Sequence, residues 1–152
     1  MDKTDQAILY ELQLDGRISN QELASKVNLS PSPCLRRVKQ LEERGIIRGY
    51  TALVDNEKYG LPITVFVRVE LVRHSAEVVK KFEQEVSAAR NVLECFVMTG
   101  RADYLLKVVV KDLHDYEHFV RNTLQRMDNI ASIDTSFAYG VVKHANALPN
   151  TL

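Results

Sequence analysis

Over the first 45 residues, apolar side chains recur at steps of three and four, the spacing that lines one face of an α-helix. Ile8, Leu9 and Leu12 form the first such stripe. Asp2 with Asp5 resembles a capping pair ahead of it, and Gly16 ends it. Ser19-Asn20-Gln21-Glu22 then reads as a capping box before Leu23, Ala24 and Val27, with Asn28 as a left-handed stop. A third helix is predicted from Ser30 to Gly45. Pro31 and Pro33 suit its first turn, Ser30 or Ser32 caps it, and Leu35, Val38 and Leu41 form its apolar stripe. Arg36, Arg37, Lys39, Gln40 and Arg44 point elsewhere, and Gly45 closes the helix. The short connection between the second and third helices is that of a helix-turn-helix, whose second helix enters a DNA groove.

Beyond Gly45 the period shifts toward two. Ile46, Ile47, Tyr50, Leu53 and Val54 read as a short β-ribbon, a wing from which Arg48 can reach a phosphate. Residues 57–62 read as a linker. In the next stretch Ile63, Val65, Val67, Val69 and Leu71 fall on one strand face, with Thr64, Phe66, Arg68 and Glu70 on the other. Ser75 caps a helix carrying Val78, Val79, Phe82 and Val86. Strands over 92–99 and 104–110 flank a tight turn, Gly100-Arg101-Ala102-Asp103. Asp112 caps a helix with Leu113, Tyr116, Phe119, Val120, Leu124 and Met127 apolar, and residues 130–139 form a last strand. The order β-α-β-β-α-β is that of a ferredoxin-like fold. The expected class is therefore α+β: a winged helix-turn-helix domain over 1–56, a linker over 57–62, and a ferredoxin-like domain over 63–152.

Charge sharpens the first domain. The 20 basic and 20 acidic residues cancel overall. Residues 30–50, however, carry five basic against two acidic, whereas 1–29 carry three against five. Positive charge thus gathers on the third helix and just after it, where Arg and Lys can reach phosphates and guanine edges. With 45% apolar and 26% charged residues, the composition is that of an ordinary soluble domain. No run approaches the roughly 18 apolar residues of a membrane span, so a cytoplasmic location with no membrane partner is expected. Cys34 and Cys95 lack any ligand-like spacing, and both read as reduced core residues. His114 and His118 sit four apart without a third ligand, so no metal site is expected. No catalytic residue or cofactor is expected either, since no nucleophile–base order or phosphate-cradling Gly loop stands out.

Several long motifs give the chain a family resemblance. They are D-G-R-I-S-N-Q-E-L-A (15–24), L-S-P-S-P-C-L-R-R-V (29–38), Q-L-E-E-R-G-I-I-R-G-Y (40–50) and G-x-x-D-Y-L-L (100–106). Through them the sequence resembles the leucine-responsive regulatory protein/asparagine-synthase regulator (Lrp/AsnC) transcription factors along essentially its whole length. The resemblance implies a DNA-binding regulator of double-stranded DNA whose second domain pairs into dimers, commonly assembled into octamers. It also implies a small effector, usually an amino acid, bound between dimers near the turn after the second strand. Carried over by position, the effector residues would be Thr99, Gly100, Arg101, Asp103 and Tyr104, with Thr135 and Ser136 on the last strand. The DNA set would be Ser30, Ser32, Arg36, Arg37, Lys39, Gln40 and Arg48. Family members often have an acidic residue after the turn glycine, where this chain has Arg101, a charge reversal at the pocket edge. The tail K-H-A-N-A-L-P resembles a branch ending K-x-T-T-x-L-P, whose members often control amino-acid breakdown, with Ala145 and Asn146 in place of the two Thr. The alternatives are an architectural DNA-wrapping protein without a ligand, and a ferredoxin-like enzyme or metabolite carrier.

Overall fold

The computed structural model describes residues 1–145 and 147–149, so Asn146 of the tail motif lies outside the described residues. The chain forms two compact units, residues 54–141 and residues 1–53, the latter joined by the described part of the segment from 142 onward. The start of the tail thus groups with the N-terminal helices. The hydrogen bond from Leu148 N to Gln13 Oε1, at 2.9 Å, belongs to this association.

In the N-terminal unit, α1 (Lys3–Leu14), α2 (Asn20–Lys26) and α3 (Pro31–Glu43) follow the predicted order. Asp2 caps α1 by accepting from Asp5 N at 2.8 Å, and Asp5 accepts from Asp2 N in return. Ser19 and Glu22 make the same reciprocal box on α2. Helices α2 and α3 both stop in Schellman motifs. Asn28 (φ 54°) and Gly45 (φ 67°) are the left-handed residues, and Leu29 N and Ile46 N donate back to Ala24 O and Leu41 O. Ser30 is the N-cap of α3, but its side chain makes no capping bond. Pro33 accounts for part of this: it stands at the third helical position, one of the two whose N–H a cap would serve, and has none to give. Instead Asn20 Nδ2 donates to Pro31 O at 2.9 Å, bolting the start of α2 to the start of α3.

The small core of this unit is Ile8, Leu23, Ala24, Cys34 and Leu41, with Val38 and Ile47 packed against it. Burying Ile8, Leu23 and Leu41 contributes about 1.5–3 kcal/mol each. The buried stripe of α3 is therefore Cys34, Val38 and Leu41, and the expected Leu35 is 45% exposed. A 4–3 step from Cys34 places the core; Leu35 lies about 100° further round the helix. The expected ribbon over 46–54 is also absent. No strand forms there, because an isolated two-stranded ribbon has too little partner surface to hold it. Residues 56–59 form one helical turn, α4 (Asn56–Tyr59), which begins one residue before the stretch read as linker and takes up its first half.

The second unit is a four-stranded antiparallel sheet in the order β2-β3-β1-β4: β1 Ile63–Leu71, β2 Val92–Val97, β3 Tyr104–Val110 and β4 Ile130–Phe137. Helices α5 (Ala76–Ala88) and α6 (Leu113–Asn122) complete the β-α-β-β-α-β order. Val65, Val67, Val69 and Leu71 of β1 meet Tyr104, Leu106, Val108 and Val110 of β3 on the helix-facing side. Phe82, Val86, Phe119 and Leu124 close that core. Leu113, read as apolar core, is exposed at the first turn of α6. Cys95, also expected inside, is exposed, since β2 is an edge strand.

Candidate functional site

Helix α3 presents an open face. Ser32, Leu35, Arg36, Lys39, Gln40 and Glu43 line a shallow hollow along it, at the three- and four-residue steps that share one side of a helix. Arg36, Lys39, Gln40 and Arg48 are exposed, as are Ser30 and Ser32 at the helix start. Among the described residues, the ion pairs of this unit are Lys26–Glu11 and those of Arg37, which leaves Arg36, Lys39, Arg44 and Arg48 uncompensated. Leu35 was missed as a surface candidate because its apolar character suggested the core.

Arg37 stands apart from this face. Its Nη1 donates to Asp2 Oδ2 and to Asp5 Oδ1, each at 2.7 Å. Its side chain is 31% exposed, and that of Asp5 only 12%. The Asp5 N–H bond, with help from Arg37, holds the Asp2 carboxyl below its usual range, and the two carboxylates raise the guanidinium pKa further. Arg37 thus spans α3 and the capped start of α1.

In the second unit the sheet divides the expected effector residues. Thr99, Gly100 and Arg101 are exposed in the turn, where Gly100 takes φ 110°, a conformation only glycine adopts without strain. Asp103 is occupied within the fold. It accepts from Leu71 N at 2.7 Å and faces His74 Nε2 at 2.8 Å, and the Leu71 bond first, then His74, lowers its pKa. Tyr104 is buried on the helix side and donates to Glu83 at 3.0 Å. Burial and that carboxylate push its hydroxyl up to about 12. Thr135 meets the Tyr116 hydroxyl at 2.5 Å on the same side. Ser136 lies on the opposite face, accepting from Arg68 at 3.3 Å.

Arg101 instead joins residues that the motif did not name. Arg68, Glu70, Arg101, Ala102, Ser132, Ile133 and Asp134 line a hollow of about 490 Å³ at one end of the β1–β4 pair. Arg68 pairs with Asp134 at 3.3 Å, and Ser132 donates to Glu70 at 3.1 Å. The alternating charges of β1 were the available signal, but the register Arg68↔Asp134 that completes them is set by tertiary pairing. His114 is exposed and faces Glu117 at 3.7 Å.

A helix-turn-helix whose second helix leaves Arg36 and Lys39 outside any ion pair among the described residues, followed by a ferredoxin-like sheet domain, defines a DNA-binding regulator with an appended ligand-binding domain. The winged helix-turn-helix DNA-binding family matches residues 1–48, and the Lrp/AsnC ligand binding domain matches residues 64–148. The Bkd operon transcriptional regulator of Pseudomonas aeruginosa is 44% identical over 98% of this chain and 97% of its own. The leucine-responsive regulatory protein of Escherichia coli is 40% identical over 97% and 90%. A transcriptional regulator of Neisseria meningitidis, crystallised as its L-Met complex, superposes with a TM-score of 0.93. It is 42% identical and covers 98% of this chain and 96% of its own. The chain belongs to the Lrp/AsnC family of DNA-binding transcriptional regulators.

Proposed function

We propose that the open face of α3 enters the major groove of an operator and that an amino-acid effector modulates the binding. Arg36, Lys39 and Gln40 supply base and phosphate contacts, Ser30 and Ser32 contact the backbone at the helix start, and Arg48 adds a phosphate contact. Leu35 offers an apolar contact to a thymine methyl. The uncompensated charge of this face, in a family of regulators, is the observation that carries the reading.

The effector half draws support from the Neisseria relative solved with L-Met. The hollow beside Arg101 has matching chemistry: a guanidinium for a carboxylate, and Glu70 or Asp134 for an ammonium. Asp103 and Tyr104 hold the turn rather than the ligand, their polar atoms being engaged within the fold. Assembly into dimers, and of dimers into octamers, would set two recognition helices on one operator.

The test is to enrich duplexes from a random-sequence pool with the full chain, then titrate the enriched duplex with and without each amino acid. Arg36→Ala should weaken binding about 5- to 150-fold and relax one position, by the 1–3 kcal/mol of a base contact. At least one amino acid should shift affinity in the wild type, and Arg101→Glu should abolish that shift while DNA binding persists. Enrichment without any amino-acid effect would favour an architectural protein. No enrichment would end the regulator reading of this interface.

A further inference from the structure

We propose that Arg37 is a positioning residue of the DNA interface: it seats α3 on the capped start of α1 and makes no DNA contact itself. This rests on the reading of α3 as the DNA-contacting helix. Three observations carry it. Arg37 follows Cys34 by three residues and precedes Leu41 by four, so it flanks the buried stripe. Arg36, one residue earlier, is turned about 100° toward the open face. Secondly, one guanidinium nitrogen reaches two carboxylates at 2.7 Å each, so the three-residue cluster has a net charge of −1. Such a cluster repels a phosphate, and the guanidinium adds no net positive potential to the interface. Thirdly, Asp5 is the one buried charged residue among those described, and its carboxylate also closes the capping box. Turning Arg37 outward to DNA would leave Asp5 Oδ1 without this partner and the carboxylate without its counter-charge.

The consequence is that the carboxylates at the capped start of α1 set the affinity of α3. Charge arithmetic gives the discriminating sign. Neutralising Asp5 removes a negative charge and frees a guanidinium, so a DNA-contacting Arg37 would bind more tightly in Asp5→Asn. A positioning Arg37 binds more weakly there, because the helix loses its seat.

The full chain and the pool-enriched duplex serve as the assay, with affinity measured across a salt series. Arg37→Ala and Asp5→Asn should each weaken binding roughly tenfold, with the slope of log affinity against log salt unchanged. The double variant should be no weaker than the weaker single, since both remove one unit. Arg36→Ala, the reference contact, should lower the slope by about one. Should Arg37→Ala fail to fold, Arg37→Gln and Asp2→Asn make the same comparison with smaller losses. A slope lowered by about one in Arg37→Ala or Arg37→Gln, or tighter binding in Asp5→Asn or Asp2→Asn, overturns the proposal. So does wild-type affinity in Arg37→Ala. Unaltered binding by Arg36→Ala is a separate result, and it would count against the DNA reading of α3 itself.

Discussion

Asp103 shows how a side chain that suits a ligand can be taken up by the fold. Its carboxylate accepts from Leu71 N at the end of β1, and its own N–H donates to Val69 O. The turn is thereby fixed to the neighbouring strand. Because its folded pKa lies below the ordinary value of 3.8, its contribution is fully present above that value. It is lost as pH falls through the lower, folded value. Asp103→Ala should therefore lower stability by about 1 kcal/mol at neutral pH, allowing for solvent screening. Thermal melts from pH 7 downward should show a constant gap to wild type that narrows only below the ordinary carboxylate value. A gap already closing well above that value would mean that a group other than the Asp103 carboxyl governs the contact. The motif G-x-x-D located this turn, and Asp103 as a ligand residue was carried over from the family resemblance, with its carboxylate chemistry in support. Which of several polar atoms an aspartate meets depends here on a strand residue 32 positions away, and no local pattern encodes that. Arg37 is the parallel case on α3: its charge was legible, its two carboxylate partners on α1 were not.

Elements were more legible than contacts wherever backbone chemistry repeats locally. The reciprocal caps Asp2–Asp5 and Ser19–Glu22, and the stops Asn28 and Gly45, each depend on residues within six positions. The alternation of β1 likewise predicted its buried face, since Val65, Val67 and Val69 have no exposed surface. The β-ribbon expected over 46–54 did not form for the opposite reason: β-prone residues make a strand only if another strand pairs with them. Leu35 and Leu113 failed because an apolar residue beside a helical stripe fits the pattern without being in it. Gly45 provides a clean test of the element scale. A Cβ there would meet nothing within 4 Å, yet φ is +67°. Gly45→Ala should thus cost about 1–2 kcal/mol through backbone conformation alone. Denaturant melts should show a lower midpoint with an unchanged slope. The end of α3 should fray before its start, visible as faster amide exchange at Ile46 and Ile47, whose N–H groups donate to Leu41 O. Full stability in Gly45→Ala would mean that the stop is set by Arg44 and the chain beyond it.

At the scale of the whole molecule, the sheet unit leaves much apolar surface open. Phe96, Val97 and Met98 on and beside the β2 edge are exposed, as are Phe137, Tyr139 and Val141 at the end of β4 and beyond. Both edges of the sheet thus carry large apolar side chains beside unpaired backbone, a combination that monomers blunt and oligomers use. Association through these surfaces would bring copies of α3 to one duplex, so operator half-sites should lie about 10 bp apart or at a multiple of that spacing. Sedimentation at micromolar concentration should give a species at least twice the 17.3 kDa chain, with a melting point that rises with concentration. Val97→Glu should shift it toward monomer without unfolding it, because Val97 is 75% exposed and supports little of its own core. Operator affinity should then fall much more than the affinity of a single α3 for a half-site. The loss arises because linked binding replaces an intermolecular step with an intramolecular one at millimolar effective concentration. A Val97→Glu protein that stayed assembled would place the interface elsewhere on the sheet. A monomer that kept full affinity for the intact operator would remove assembly from the binding mechanism altogether.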